Sequence, residues 1–169
     1  RYDRAPEGRI HCEDFAQILG EMPEDKYGGA RTKTGPHTYL GVAAVLLAYV
    51  GEHAVHELLR RLVVNEMLGN PDMHLKNIGL RYPDGRTPDF PPAYDIVAYA
   101  AFNQNQGHAL AIVPPELAPR EGQRQALSAA MVRAFCAALG IPEKPAAKAI
   151  ADCVRRAYEK WPAMIDGSA

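Results

Sequence analysis

Asn70-Pro71-Asp72-Met73-His74-Leu75-Lys76-Asn77 is the stretch on which the reading of this chain turns. It separates two kinds of structure. Upstream, residues 54–68 place Val55, Leu58, Leu59, Leu62, Val63 and Met67 on one stripe. Glu57, Arg60, Arg61 and Glu66 fall mostly outside it, which is the period of an amphipathic helix. Gly69-Asn70-Pro71 stops that helix. Downstream, residues 78–82 read as a strand and Pro83-Asp84-Gly85 as a turn. Residues 87–94 hold three prolines and read as an extended arm that cannot be a central strand.

The loop between helix and strand carries the chemistry. Four residues separate Asp72 from Asn77, the D-x-x-x-x-N spacing of a protein-kinase catalytic loop. In that arrangement the carboxylate accepts the proton of an attacking hydroxyl. The amide oxygen holds a magnesium ion that bridges phosphate oxygens. Both groups must project from one tight loop toward the same phosphate, so the spacing matters. Magnesium takes oxygen ligands, often one or two protein oxygens plus phosphates. Asp95, in Ala93-Tyr94-Asp95-Ile96-Val97, lies 18 residues after Asn77 and supplies a second candidate ligand. The expected hairpin of residues 78–94 would return the chain so that Asp95 faces Asn77. Each acid also has a plainer reading. Asp72 could cap a turn after Asn-Pro, and Asp95 could be a loop acid held by backbone amides. His74 could orient Asp72 or touch a nucleotide, or be a histidine satisfied inside the loop. Lys76 could neutralise charge on a transferring phosphoryl group, or be a solvated lysine.

Further out, residues 11–20 read as a short helix carrying Phe15, Ile18 and Leu19. Residues 21–37 form a long loop, the kind that carries function or moves. Residues 40–50 are apolar on all sides and read as a central helix. Residues 109–113 are a possible short strand. Residues 123–139 and 145–161 read as helices. The first buries Leu127, Met131, Phe135 and Leu139, the second Ile150, Val154, Tyr158 and Trp161. The fold is therefore mainly α: a helical bundle with a small β-hairpin between its halves.

Composition narrows the class. The chain has 169 residues, 47% hydrophobic and 23% charged, which suits one domain with its own core. A net charge of −1 gives no general field toward nucleic acid or membrane. Arg60–Arg61 and Arg155–Arg156 read as solvated helix faces. Three cysteines, Cys12, Cys136 and Cys153, form no CxxC pair. Their odd number suits a reducing cytoplasm. No apolar run reaches membrane-spanning length. The first residue is Arg1, so a piece of a longer chain is expected.

Taken together, N-x-D-x-H-x-K-N (Asn70, Asp72, His74, Lys76, Asn77) resembles the catalytic loop of HipA-like serine/threonine kinases. Tyr94-Asp95 resembles the metal-binding Y-D of that family. Tyr2-Asp3-Arg4 is similar to its R-F-D-R hinge. His11-Cys12-Glu13-Asp14-Phe15-Ala16-Gln17 resembles its H-x-E-D-F-C-Q stretch, and Lys26-Tyr27 its following K-Y. The likeness is strongest to about residue 100. It implies a kinase-like C-lobe across residues 1–169, carrying the catalytic loop and the metal-binding aspartate. The first lobe, with its glycine-rich loop and ATP-binding lysine, would lie outside this chain, and the isolated piece would bind ATP poorly. It implies Asp72 as catalytic base, and Asn77 and Asp95 as Mg2+ ligands. His74, Leu75, Lys76 and Tyr94 match the stretch that contacts ATP; Tyr2 matches a hinge aromatic beside the adenine, with Arg1 giving a backbone contact. It implies a protein substrate phosphorylated on serine or threonine, and a toxin paired with a small HipB-like helix-turn-helix antitoxin. DNA would be reached only through that antitoxin, in the cytoplasm and with no membrane role.

Three other readings compete. A small-molecule phosphotransferase also uses D-x-x-x-x-N and a later Asp, but usually with His before the first Asp. A non-catalytic binding module would hold a partner without turnover. A metal hydrolase built on Asp72 and His74 lacks a third ligand, since His37, His53, His56 and His108 are scattered.

Overall fold

The computed structural model describes residues 2–6, 8–28, 35–101, 107–119 and 125–167. In chain order they form β1 (Arg4–Ala5), β2 (Gly8–Arg9), β3 (His11–Asp14), α1 (Phe15–Ile18), α2 (Tyr39–Tyr49), α3 (Glu52–Leu68), β4 (Gly79–Tyr82), α4 (Ala129–Leu139) and α5 (Glu143–Ile165). Helix dominates, as the periodicity predicts. The strands make two antiparallel pairs, β1 with β2 and β3 with β4.

α3 is the spine. Its stripe Val55, Leu58, Leu59 and Leu62 is fully buried. It joins Val42 and Leu46 of α2, Phe135 of α4, and Phe15, Leu75, Ile78 and Ile112 in one core. Each such side chain contributes about 1.5–3 kcal/mol by leaving water. α3 ends at Gly69, whose left-handed φ of 61° lets its N–H reach the carbonyls of Asn65 and Glu66. A Cβ there would also lie 3.0 Å from Ala100 Cβ. The helix therefore delivers the chain into residues 70–77 at a fixed point.

Several expectations are corrected. Residues 11–14 are a strand, not the start of a helix. His11 pairs with Tyr82 and Asp14 with Gly79, and the helix begins only after Asp14. The Asp14 carboxylate accepts from Gln17 N, while Gln17 Oε1 accepts from Asp14 N, each at 2.9 Å. That reciprocal cap fixes the boundary. The expected hairpin of residues 78–94 is not a ladder. β4 takes β3 as partner, and the proline-rich arm returns only through the bridge Arg81–Asp89.

Residues 109–113 form no strand. The carbonyls of Ala111 and Ile112 accept the first N–H groups of α2, from Tyr39 and Leu40. The Gln125 side chain pairs with Ile112 N, Val113 N and Val113 O. With Gln125 so engaged, α4 starts at Ala129 behind the Ser128 cap rather than near residue 123; residues 123 and 124 lie outside the described residues. α5 turns only part of the expected face inward. Ile150 packs on the core and Trp161 is half-buried, but Tyr158 is 85% exposed and Val154 40%, and the buried positions are Ala146, Ala149 and Ala157. Close packing of α5 on α3 selects small side chains at those positions. α2 is likewise buried on one side only, with Tyr49 exposed.

Cys12, Cys136 and Cys153 are all free. Among the described residues no helix is long and apolar enough to cross a membrane.

Candidate active site

A chain of buried amides positions the loop after α3. Asn65 Nδ2 donates back to Arg61 O at 2.7 Å. Asn65 Oδ1 accepts from Asn70 Nδ2 at 2.6 Å, and Asn70 Oδ1 accepts from Asp72 N at 3.1 Å. Both asparagines are buried. Tyr39, from α2, donates to the carbonyl of Met73 at 2.7 Å. The loop is thus tied to two helices before it reaches its reactive residues.

Asp72 and Asn77 are brought together. Asn77 Nδ2 donates to the backbone carbonyl of Asp72 at 2.9 Å, and that carbonyl also accepts from His74 N at 2.9 Å. The side chain of Asn77 closes the loop on the residue that bears the carboxylate. Its amide oxygen makes no hydrogen bond within the described residues. Asp72 Oδ1 accepts the hydroxyl proton of Tyr27, and that bond, with some burial, pushes the Tyr27 phenol up to about 12.

His74 is buried, 5% exposed, and its Nδ1 has no partner among the described residues. Tyr27 packs edge-on against it, with centroids 5.1 Å apart. Burial depresses its pKa, with the Lys26 ammonium adding to the effect, while the carboxylates of Asp72 and Asp95 oppose it. Both acids thus lie within electrostatic reach of one imidazole. Asp95 itself is exposed, on a backbone with φ of 55°.

The other expected contacts divide. Leu75 has its side chain fully buried in the core and its N–H on the carbonyl of Lys26 at 3.0 Å. A side-chain contact with a nucleotide is closed to it. Lys76 is half-buried and pairs with Asp14 Oδ2 at 3.4 Å. Tyr94 donates to the carbonyl of Lys76 at 3.0 Å and stacks on Tyr2, with centroids 5.1 Å apart and planes at 18°. Tyr2, Lys76 and Tyr94 line one cleft of about 230 Å³, with Asp14 and Gln17. Arg1 lies outside the described residues. Among the described residues no group of three or more His, Cys, Asp or Glu is placed to hold a metal ion. That arrangement gives the hydrolase reading no support.

Three contributors carry no local signal of this role in the sequence. Tyr27 stands there only as part of a motif, Asn65 is one polar residue of a helix, and Arg61 reads as solvated. Arg61 is buried instead, and its guanidinium stacks on Phe90 at 3.7 Å and donates to the carbonyl of Pro91. Arg155 and Arg156 are exposed, as expected.

This fold is that of the HipA proteins. It matches a Shewanella oneidensis structure titled as the toxin–antitoxin system HipA, HipB and its operator DNA complex. The TM-score is 0.67 at 23% identity, over 92% of this chain and 38% of that one. The family model for the HipA-like C-terminal domain matches residues 1–161, and the chain belongs to that family. Curated relatives are named as kinases. "Putative kinase Y4dM" of Sinorhizobium fredii is 41% identical over 109 residues, 64% of this chain and 25% of the relative. A "Putative kinase" of Haemophilus influenzae is 31% identical over 127 residues, 72% of this chain and 36% of the relative. The chain spans about a quarter to a third of the length of these relatives.

Proposed function

We propose that this chain is the C-lobe of an ATP-dependent serine/threonine protein kinase of the HipA-like family, working as part of a longer protein. Asp72 is its catalytic base; Asn77 and Asp95 are its Mg2+ ligands. One observation carries the reading: the Asn77 amide is tied to the Asp72 carbonyl at 2.9 Å, which holds an amide oxygen and a carboxylate on one closed loop. The Tyr94 hydroxyl on the carbonyl of Lys76, at 3.0 Å, brings the segment that bears Asp95 to the same loop.

The donor set fits the ion. An amide oxygen and a carboxylate are hard oxygen ligands of the kind Mg2+ prefers, and phosphates and water complete its shell. When bound, Mg2+ neutralises charge on the phosphates of ATP. The residues of the chain do the rest. Asp72 takes the proton of the acceptor hydroxyl as the oxygen attacks. Tyr27 holds that carboxylate by one oxygen. Buried His74 braces the Tyr27 ring, which packs edge-on against it. Lys76, once parted from Asp14, lends positive charge to the transferring phosphoryl group. The Tyr2–Tyr94 stack gives the adenine an aromatic wall.

A HipB-like helix-turn-helix antitoxin is the proposed partner, a protein serine or threonine the acceptor, and the cytoplasm the compartment. Family membership supports the partner, as does the Shewanella assembly, whose title includes HipB and operator DNA. Titrating Mg·ATP into the full-length protein tests the metal assignment. Asn77→Ala and Asp95→Ala should each weaken binding by about tenfold or more, the range reached when contacts around a bound metal are removed. Unchanged affinity in both variants removes the assignment.

A further inference from the structure

Arg61 stands out in α3 because a cation in a packed interface must justify its desolvation. Its side chain is 5% exposed. Burial pulls its pKa down while the hydrogen bond it donates to Glu57 holds it up. Nε donates to Glu57 Oε1 at 3.1 Å, Nη2 donates to the carbonyl of Pro91, and the guanidinium carbon sits over the Phe90 ring, 3.7 Å from its centroid. Glu57 only orients the group. The other two contacts fall on adjacent residues of the arm that ends in Asp95.

That arm forms no helix or ladder of its own. It carries three prolines and makes one bridge to β4, at Asp89. Asp95 is exposed and lies in neither helix nor strand. Between the bridge and Asp95 two polar tethers hold the arm, the Arg61 contacts at Phe90 and Pro91 and the Tyr94 hydroxyl on Lys76 O, beside the packing of Phe90 on the core and the stacking of Tyr94 on Tyr2. The first ties the arm to α3, and the second ties it to the loop that holds Asn77. Both tethers therefore act on the place of Asp95 relative to Asn77.

We propose that Arg61 is a positioning residue for Asp95: its guanidinium clamps Phe90 and Pro91 to α3 and so fixes the distance between the Asp95 carboxylate and the Asn77 amide oxygen. This rests on the reading of Asp95 as a Mg2+ ligand. A planar fork is needed, because one face must stack while the edge donates to two acceptors. Lysine can keep the charge beside Glu57 but not both other contacts.

The test is the Mg2+ dependence of ATP binding by the full-length protein, measured calorimetrically at stepped Mg2+ concentrations. In Arg61→Met the Mg2+ concentration at half-effect should rise about tenfold, as when a residue supporting a metal ligand is lost. ATP affinity should return to the parent value once Mg2+ is in excess. Arg61→Lys should fall between. A general packing defect would lower affinity at every Mg2+ concentration and would not be rescued. Phe90→Leu, which removes the stacking face and leaves Arg61 in place, should shift the half-effect in the same direction and carries the test if Arg61→Met does not fold. Asp95→Ala is the control and should lose the Mg2+ dependence that excess ion restores to Arg61→Met. If Asp95→Ala behaves so while the Arg61 and Phe90 variants stay within twofold of the parent, the clamp is overturned and the metal reading stands. If Asp95→Ala itself changes nothing, both are overturned.

Discussion

The hydroxyl of Tyr27 donates to Asp72 Oδ1 across 45 positions of sequence. The bond joins the loop after α1 to the loop after α3, and it engages one oxygen of the proposed base. Lys26 adds a second tie through its carbonyl, which accepts from Leu75 N at 3.0 Å. A carboxylate held by one oxygen presents the other in a defined direction. Tyr27→Phe should therefore slow phosphoryl transfer about tenfold, equivalent to about 1.4 kcal/mol of barrier, with ATP affinity unchanged. Steady-state kinetics on the full-length protein decide this. A rate equal to the parent's assigns Tyr27 to packing alone.

His74 gives a pH dependence with a definite sign. Its pKa in the folded chain lies below the ordinary 6.5 because burial disfavours the imidazolium. As pH falls through 6.5, the unfolded chain takes up the proton before the folded one does. Stability present at neutral pH is then lost, down to the lower folded value. His74→Gln should flatten the fall in urea midpoint between about pH 7 and 5. Parallel curves for parent and variant would contradict the assignment.

Asn70 tests the buried amide chain. Asn70→Ala leaves Asn65 Oδ1 and the Asp72 N–H without their partner. A buried polar group left unmade costs about 1–3 kcal/mol, so a loss of about 2 kcal/mol in denaturant unfolding is expected. A loss below about 0.5 kcal/mol, the scale of ordinary surface substitutions, would show the network to be dispensable.

Much of this was legible beforehand because it is local. The stripe of α3, its stop at Gly69 and the Asp72–Asn77 spacing all lie within 25 residues, and period and turn chemistry dictate them. The α1 boundary was legible too, in the Asp14–Gln17 cap, but apolar spacing alone extended the helix backward into β3. β3 could not be read because its partner, β4, lies more than 60 residues away. Arg61 reads as a surface residue until the fold brings Phe90 and Pro91 against it. Tyr27 reaches Asp72 only through the loop's path. In α5 alanines take the most buried positions beside Ile150, and Tyr158 stays outside, because interhelical distance decides what the inner face can hold.

Gly79 probes the β3–β4 contact that supports the loop from below. A Cβ at this position would lie 2.6 Å from the carbonyl oxygen of Glu13, inside the van der Waals contact of a carbon with an oxygen. Gly79→Ala must push the strands apart and should cost about 1–3 kcal/mol, as overpacking does. Thermal unfolding of the variant measures it, and an unchanged midpoint would mean the strands separate freely.

The most direct measurement is the rate of phosphoryl transfer from ATP by the full-length protein carrying Asp72→Asn. The amide keeps the size of the carboxyl group and loses its basicity. A drop of about 10²–10⁴-fold is expected, the usual contribution of a general base, with the near-ultraviolet dichroism and Mg·ATP affinity of the parent. Transfer at the parent's rate would contradict Asp72 as the base.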